Sequence, residues 1–219
     1  MKILLLNPNS SNSVTESIDT ALDGLRQASG AQIECATLAE GPPGIETQEH
    51  VDSLAVPIAR RLAAEEADAY IIACFSDPGL FLAREMLSKP VVGIAESAFH
   101  LATGLGQRFG IVAILDQSIP RHLRHARALG FSERLAGDRA INVGVLGLSS
   151  RETVIDRIVS VGKTLRDQDG ADVLILGCAG MGRYRSELEE KLGIPVIDPC
   201  QAAVARAIGL VSLGYRRVA

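Results

Sequence analysis

The sequence predicts an α/β protein made of two similar halves, each a parallel sheet covered by helices, related by pseudo-twofold symmetry. Apolar strand patterns alternate with helical patterns through all 219 residues, which favours parallel strands joined by right-handed crossovers. The pattern then recurs: Cys178 follows Cys74 by 104 residues, and Pro195 follows Pro90 by 105. Hydrophobic residues make up 47% of the chain but aromatic residues only 4%, as expected for an aliphatic core. The alternative without duplication is a single doubly wound sheet.

The first half begins with a short apolar strand that ends in the polar segment 7–12. Ser13 and Glu16 have the spacing of a capping box, so we expect a helix to begin there. Asp77 and Pro78 are typical of an N-cap and the first residue of a helix. The predicted strands are 3–6, 31–37, 70–73 and 90–94, and the predicted helices are 13–27, 49–65, 77–87 and one from residue 97.

The second half repeats this order, and the segment 195–203 echoes 90–98. The last helix matches the helix that joins the halves, so we expect it to pack back on the first half. This gives a first half of residues 1–96 with 201–219, and a second half of 97–200. The predicted strands are 110–115, 140–145 and 173–177, and the predicted helices are 119–129, 152–167, 184–192 and 201–208.

Composition restricts the class of protein. The net charge of −4 and the lack of a basic stretch with interleaved aromatic residues argue against nucleic acid as a partner. No apolar run is long enough for a signal peptide or a membrane span, so we expect no membrane partner and a cytoplasmic location. The four cysteines are expected to be reduced there, and none has the spacing of a metal site. We expect a small-molecule substrate and no metal.

Ligands of parallel sheets bind outside the carboxyl ends of the strands, where Cys74 and Cys178 both lie. If the halves face each other, both cysteines border one active-site cleft. A thiol near a helix N-terminus is expected to have a lowered pKa. Two such thiols facing one carbon suit proton removal on one face and proton delivery on the other, as in a racemase without a cofactor. Backbone N–H groups after each cysteine would hold the oxygen that gains charge. The alternative is that both cysteines are core residues.

Four motifs in the chain resemble those of hydantoin racemases, which belong to the aspartate/glutamate racemase superfamily together with allantoin racemases and arylmalonate decarboxylases. The motifs are Asn-Pro-Asn-Ser-Ser at 7–11, Cys-Phe-Ser-Asp-Pro-Gly-Leu at 74–80, Pro-Val-Val-Gly-Ile-Ala-Glu at 90–96 and Leu-Gly-Cys-Ala-Gly-Met at 176–181. The resemblance implies a cofactor-independent racemase, often oligomeric, with Cys74 and Cys178 as the acid/base pair. It also implies these substrate contacts: Asn9, Ser10, Phe75, Ser76, Ala179 and Gly180.

The substrate implied is a 5-substituted hydantoin or a related cyclic ureide such as allantoin. Two alternatives stay open, a racemase of free aspartate or glutamate and a protein that binds a small acid without turnover. The loop after the fifth strand departs from the hydantoin racemase pattern, because Ala113 and Ile114 stand where two threonines are usual. The segment 116–118 also differs from the usual arginine-threonine ending, which leaves the exact substrate open.

The remaining candidates have simpler interpretations. Asp77 is expected to cap a helix rather than act as a base. His122 and His125 lie among arginines on a predicted helix, which indicates a solvated basic face. Cys35 lies within a strand and is expected in the core, and Cys200 lies past a strand end without a thiol counterpart in the first half.

Overall fold

Two four-stranded parallel sheets form the framework of the protein. The computed structural model describes residues 1–216, apart from the side chains of 152 and 153. The strand orders are β2-β1-β3-β4 and β6-β5-β7-β8, so the second sheet repeats the topology of the first and confirms the predicted α/β class. The strands are β1 (Lys2–Asn7), β2 (Gln32–Thr37), β3 (Ala69–Ile72), β4 (Val91–Gly93), β5 (Phe109–Ala113), β6 (Leu135–Ala140), β7 (Val173–Leu176) and β8 (Val196–Ile197).

Helices cover both faces of the sheets, and two predicted helices are each broken in two. The breaks fall at Leu22 and Leu54, whose side chains are buried. The first helix is capped by Ser11, whose hydroxyl accepts from the Val14 N–H, so the predicted cap at Ser13 is wrong. The helices are α1 (Asn12–Ala21), α2 (Asp23–Ser29), α3 (Gln48–Ser53), α4 (Ala55–Ala63), α5 (Leu80–Met86), α6 (Ile94–Leu105), α7 (Ile119–Ala128), α8 (Arg151–Asp167), α9 (Arg185–Leu192) and α10 (Pro199–Ser212).

One apolar cluster joins the two sheets. It includes Leu5 of β1, Phe99 of α6, Leu174 of β7 and Val204 of α10. Helix α6 contacts β7 and β8 of the second sheet, whereas α10 contacts β3 and β4 of the first. The division at residues 96 and 200 stays a prediction, and its last three residues, 217–219, lie outside the described part of the chain. Within that part, no helix is long and apolar enough to cross a membrane.

The predicted strand at 140–145 is wrong, because β6 lies earlier, at Leu135–Ala140. This edge strand is only half-buried and contains Asp138 and Arg139, so it lacks the apolar run by which buried strands are found. The apolar Ile141 and Val145 are buried, but in a connection that leads back over the strand ends.

Two buried aspartates pack against glycines at corresponding places in the two halves. The sequence predicted that Asp77 caps the helix that follows it. This prediction is wrong, because α5 has no side-chain cap. The backbone of Asp77 has a positive φ of 44°, and its carboxylate accepts from the N–H groups of Ala95 (3.0 Å) and Glu96 (2.9 Å) at the start of α6. The carboxylate fills the space where a Cβ of Gly93 would lie.

Asp198 has the corresponding role at the start of α10. One carboxylate oxygen accepts from the Cys200 N–H at 2.8 Å, and the other lies against Gly182 with no hydrogen-bond partner among the described residues. Burial raises the pKa of Asp198 to about 6, although backbone N–H groups at the helix start oppose this shift. The folded protein therefore binds this proton more tightly than the unfolded chain does.

The first prediction concerns Gly93. We expect Gly93→Ala to lower the free energy of unfolding by about 2–4 kcal/mol, because the new methyl group displaces the Asp77 carboxylate from its two backbone donors. Gly104→Ala is the control, since Gly104 lies in α6, the helix that follows Gly93, with open space around its Cβ, and we expect it to raise stability by about 0.5–1 kcal/mol. Urea unfolding measures both, and equal effects would contradict the assignment.

The second prediction concerns Asp198. The pKa of Asp198 is raised from 3.8 in the unfolded chain to about 6 in the folded protein. Ionisation of Asp198 therefore lowers the free energy of unfolding as pH rises from about 4 to 6, and this loss is complete above that range. Asparagine keeps the helix cap but does not ionise. We expect Asp198→Asn to gain about 3 kcal/mol relative to the parent protein between pH 4 and pH 7 in urea unfolding. Asp156→Asn, at an exposed position of α8, is expected to change by less than about 0.5 kcal/mol. A constant difference for Asp198→Asn would refute the assignment.

Candidate active site

The central strands of both sheets end at one small cavity. Asn9 follows β1, Cys74 follows β3, Ile114 follows β5 and Cys178 follows β7, and all four line this cavity. The parallel sheets therefore deliver their carboxyl ends to a common site, as the strand order requires.

Cys74 occupies the turn between β3 and α5. The Asp77 N–H donates to the Cys74 carbonyl at 2.9 Å, and the backbone N–H of Ser76 acts to lower the pKa of the Cys74 thiol. Phe75 and Ser76 also line the cavity, and the Phe75 ring packs edge-on against Phe99 at 5.8 Å. The turn is thus fixed by its own backbone and by the core.

Cys178 lies in the corresponding turn of the second half, where a 3-10 turn, Ala179–Tyr184, follows β7. The Met181 N–H donates to the Cys178 carbonyl at 3.2 Å, and the backbone N–H of Gly180 acts to lower the pKa of the Cys178 thiol. Ala179 lines the cavity beside the thiol. Helix α1 packs on this turn, so the first half supports the second cysteine.

The pKa values of both thiols are raised, so the prediction of lowered pKa values is wrong. Burial raises the pKa of the Cys74 thiol to about 12, with smaller contributions from Cys178 and Asp77 in the same direction. Burial raises the pKa of Cys178 to about 11, and Glu46 adds to this shift. The backbone N–H groups oppose these shifts, as the position near helix starts predicts, but desolvation is the larger effect.

The segment after β1 brings one polar side chain to the cavity. Asn9 is buried, and its Oδ1 accepts from the Ser11 N–H at 2.9 Å and from Asn7 Nδ2 at 3.0 Å. Its own Nδ2 makes no hydrogen bond within the described residues, so these N–H groups are available to a ligand. Ser10 is not part of the cavity wall and instead donates its N–H to the Pro42 carbonyl.

Helix α7 supplies two further polar residues to the wall, Arg121 and His122. Arg121 is only 8% exposed and is held by the carbonyls of Gln117 (3.0 Å) and Glu46 (2.9 Å). His122 Nδ1 lies 2.8 Å from Asp138 Oδ2, and the imidazole packs edge-on against Phe75. The predicted solvated face is therefore wrong for these residues.

Sequence reasoning missed the side chains that close the cavity from loops and from α7. Ser118, His122 and Ala126 are buried at intervals of four residues, a helical signal that the intervening arginines obscured. The loop residues Glu46 and Val145 meet through a hydrogen bond from the Val145 N–H to Glu46 Oε1 at 2.9 Å. The residues are far apart in sequence, so no local pattern marks this contact.

The sequence model of the Asp/Glu/hydantoin racemase family matches residues 3–207, which is almost the full length of the chain. The chain belongs to this family. It is 38% identical to the hydantoin racemase of Paenarthrobacter aurescens, across 99% of this chain and 93% of that protein. It is 36% identical to the hydantoin racemase of Pseudomonas sp. (strain NS671), across 99% of this chain and 88% of that protein.

Solved structures of racemases share the whole fold. The allantoin racemase from Klebsiella pneumoniae superposes with a TM-score of 0.92 at 34% identity, covering 100% of this chain and 90% of its own. The allantoin racemase from Pseudomonas fluorescens gives 0.93 at 30% identity, covering 100% and 94%. This member of the Asp/Glu/hydantoin racemase family is therefore a racemase, which overturns the alternative of a binding protein without turnover.

The third prediction concerns the thiols of this racemase. Since the pKa values of Cys74 and Cys178 are about 12 and 11, alkylation of both by iodoacetamide is expected to accelerate about tenfold per unit from pH 7 to pH 10. Peptide mass spectrometry measures each rate, and glutathione in the same solution is the control whose rate levels off. A plateau below pH 9 for either cysteine would show that its pKa is not raised.

Proposed function

We propose that the protein interconverts the enantiomers of a 5-substituted hydantoin or a related cyclic ureide such as allantoin, with Cys74 and Cys178 as the acid/base pair. The observation that carries the proposal is that both thiols border the same cavity, each from the turn after the third strand of its sheet. Opposed acid and base groups of one chemical kind are what inversion at a single carbon requires.

In the proposed reaction, one cysteine is a thiolate and the other a thiol. The thiolate takes the proton from the ring carbon beside the carbonyl, and the electron pair of the C–H bond moves toward the carbonyl oxygen to give an enolate. The second thiol then donates its proton to the opposite face of the carbon, and the electrons return from the oxygen. The thiol and thiolate have exchanged roles, so the protein is ready for the other enantiomer.

The character of the cavity supports a compact, largely uncharged substrate. Ile45, Ile114 and Val145 line the wall between the polar groups, which suits the carbon substituent of a cyclic ureide. A free aspartate or glutamate would bring an ammonium group and two carboxylates into these apolar surroundings. The relatives named as hydantoin racemases and the structures of allantoin racemases support the same substrate class.

Other parts of the expected biology stay predictions. These are the substrate contacts of Asn9, of Ser10 and of the two cysteine turns, and the independence from any cofactor. A cytoplasmic location, a homo-oligomeric state and the absence of nucleic-acid partners belong to the same group.

The fourth prediction tests the two-cysteine reaction. We expect Cys74→Ala and Cys178→Ala each to lower racemisation of benzylhydantoin or allantoin by about 10³-fold or more, because one of the two proton carriers is missing. In deuterated water, each variant is expected to exchange the ring C–H of one enantiomer only, without inversion. Polarimetry follows racemisation and proton NMR follows exchange, after subtraction of the uncatalysed rate.

Cys35→Ala is the control, because Cys35 lies on β2 and outside the cavity wall. We expect its racemisation rate to stay within about twofold of the parent protein. Racemisation retained by either variant of the cysteine pair would eliminate the two-base scheme. Parallel assays with free aspartate and glutamate decide between the substrate classes, since turnover of those acids alone would replace the cyclic ureide.

A further inference from the structure

Arg121 is a cation in the cavity wall, and two of its five N–H groups, on Nε and Nη1, have no hydrogen-bond partner among the described residues. Its Nη1 donates to the Gln117 carbonyl, and its Nη2 donates to the Glu46 carbonyl and to Ser118 Oγ at 3.2 Å. Its Nε is buried and has no hydrogen-bond partner among the described residues. The guanidinium is therefore fixed at both ends of its fork, while the N–H of Nε and one N–H of Nη1 are unused.

A buried donor without an acceptor is costly, at about 1–3 kcal/mol, and native proteins contain few of them. At this position the cost has a chemical interpretation, because Arg121 lines the same cavity as both thiols. An oxygen of a bound molecule would complete the hydrogen bonding of the side chain.

The reaction requires such a donor. When the proton leaves the ring carbon, negative charge develops on the neighbouring carbonyl oxygen, and donors aimed at that oxygen lower the barrier. The backbone N–H groups of Ser76 and Gly180, which the sequence predicted to serve this oxygen, also act to lower the pKa values of the Cys74 and Cys178 thiols. A cationic donor in the same wall would stabilise the charge on the oxygen more strongly than neutral donors alone.

We propose that Arg121 is a further catalytic residue, one of whose unpaired N–H groups donates to the substrate carbonyl oxygen that gains negative charge. This inference rests on the proposed racemase reaction. As the C–H bond breaks, its proton forms an S–H bond with one cysteine and the electron pair moves onto the oxygen beside Arg121. When the other thiol protonates the carbon, the electrons return to the C–H bond. Arg121 remains protonated throughout.

Electrostatics place Arg121 on the Cys74 side of the cavity. The charge of Arg121 acts to lower the pKa of the Cys74 thiol, against the larger effect of burial. Burial lowers the pKa of Arg121, and the negative charge of Cys74 opposes this shift. The same guanidinium is therefore near the thiol and can face an enolate formed at the carbon beside it.

The test compares Arg121→Gln and Arg121→Lys with Arg124→Gln. Arg124 is the matched control, because it lies on the same helix, is exposed, and donates to Gln48 outside this cavity. For each variant, kcat/KM is measured with one enantiomer of a hydantoin that the parent protein racemises. The inhibition constant is measured for 5,5-dimethylhydantoin. That probe carries both ring carbonyls but has no proton on carbon 5, so it reports ground-state binding alone.

We expect Arg121→Gln to lower kcat/KM by about 10²–10³-fold. The inhibition constant of the probe is expected to rise by less than about tenfold, the effect of one neutral hydrogen bond. Arg121→Lys keeps the charge, so its kcat/KM is expected to lie between those of the parent protein and of Arg121→Gln. The kcat/KM of Arg124→Gln is expected to stay within about twofold of the parent value. Thermal unfolding checks that each variant is folded, and the lysine variant carries the test if the glutamine variant is not.

The proposal is overturned if kcat/KM falls less than about tenfold more than the inhibition constant rises, since Arg121 would then act on binding or structure only. That result is distinct from failure of the proposed function. If the proposed function fails, the parent protein itself racemises no hydantoin or allantoin, and the variants do not enter the comparison.

Discussion

Buried N–H groups at the starts of α6 and α10 require hydrogen-bond acceptors, and the carboxylates of two aspartates supply them. Asp77 reaches α6 from the Cys74 turn, whereas Asp198 caps α10 itself and packs against Gly182 of the Cys178 turn. Helix α6 covers the second sheet and α10 covers the first. The position of each cysteine is therefore tied to a helix that contacts the other half, so the two turns are held relative to each other.

The two halves share topology but not electrostatics. Asp77 accepts from two backbone donors and lies 2.9 Å from His125 Nε2, whereas one carboxylate oxygen of Asp198 has no partner within residues 1–216 as described. The thiols differ in the same way, since Arg121 acts on Cys74 and Glu46 acts on Cys178 with opposite charges. Similar backbones thus place two chemically equivalent sulfurs in different surroundings, and the local side chains decide how each sulfur behaves.

The parts of the fold that depend on local pattern could be predicted from the sequence. Continuous apolar runs marked β3 and β7, and the rule for strand ends then placed both cysteines at the correct edge. Strand β6 escaped prediction because an edge strand needs no apolar run, and the role of Asp77 escaped because its partners lie about twenty residues further along the chain. The cavity wall at Arg121 and Val145 depends on hydrogen bonds to Glu46 in a distant loop, and local spacing in the sequence does not predict such contacts.

The raised pKa values of the thiols fit the requirement that a racemase work equally in both directions. Enantiomers have equal free energies, so in the proposed reaction each protonation form of the cysteine pair must be populated to accept its own enantiomer. Desolvation raises the pKa values of Cys74 and Cys178 alike, to about 12 and 11. Selective activation of one thiol would instead favour the form that is suited to a single enantiomer. In the proposed reaction, burial of both sulfurs in one cavity lowers the fraction ionised but keeps the two cysteines interchangeable as acid and base.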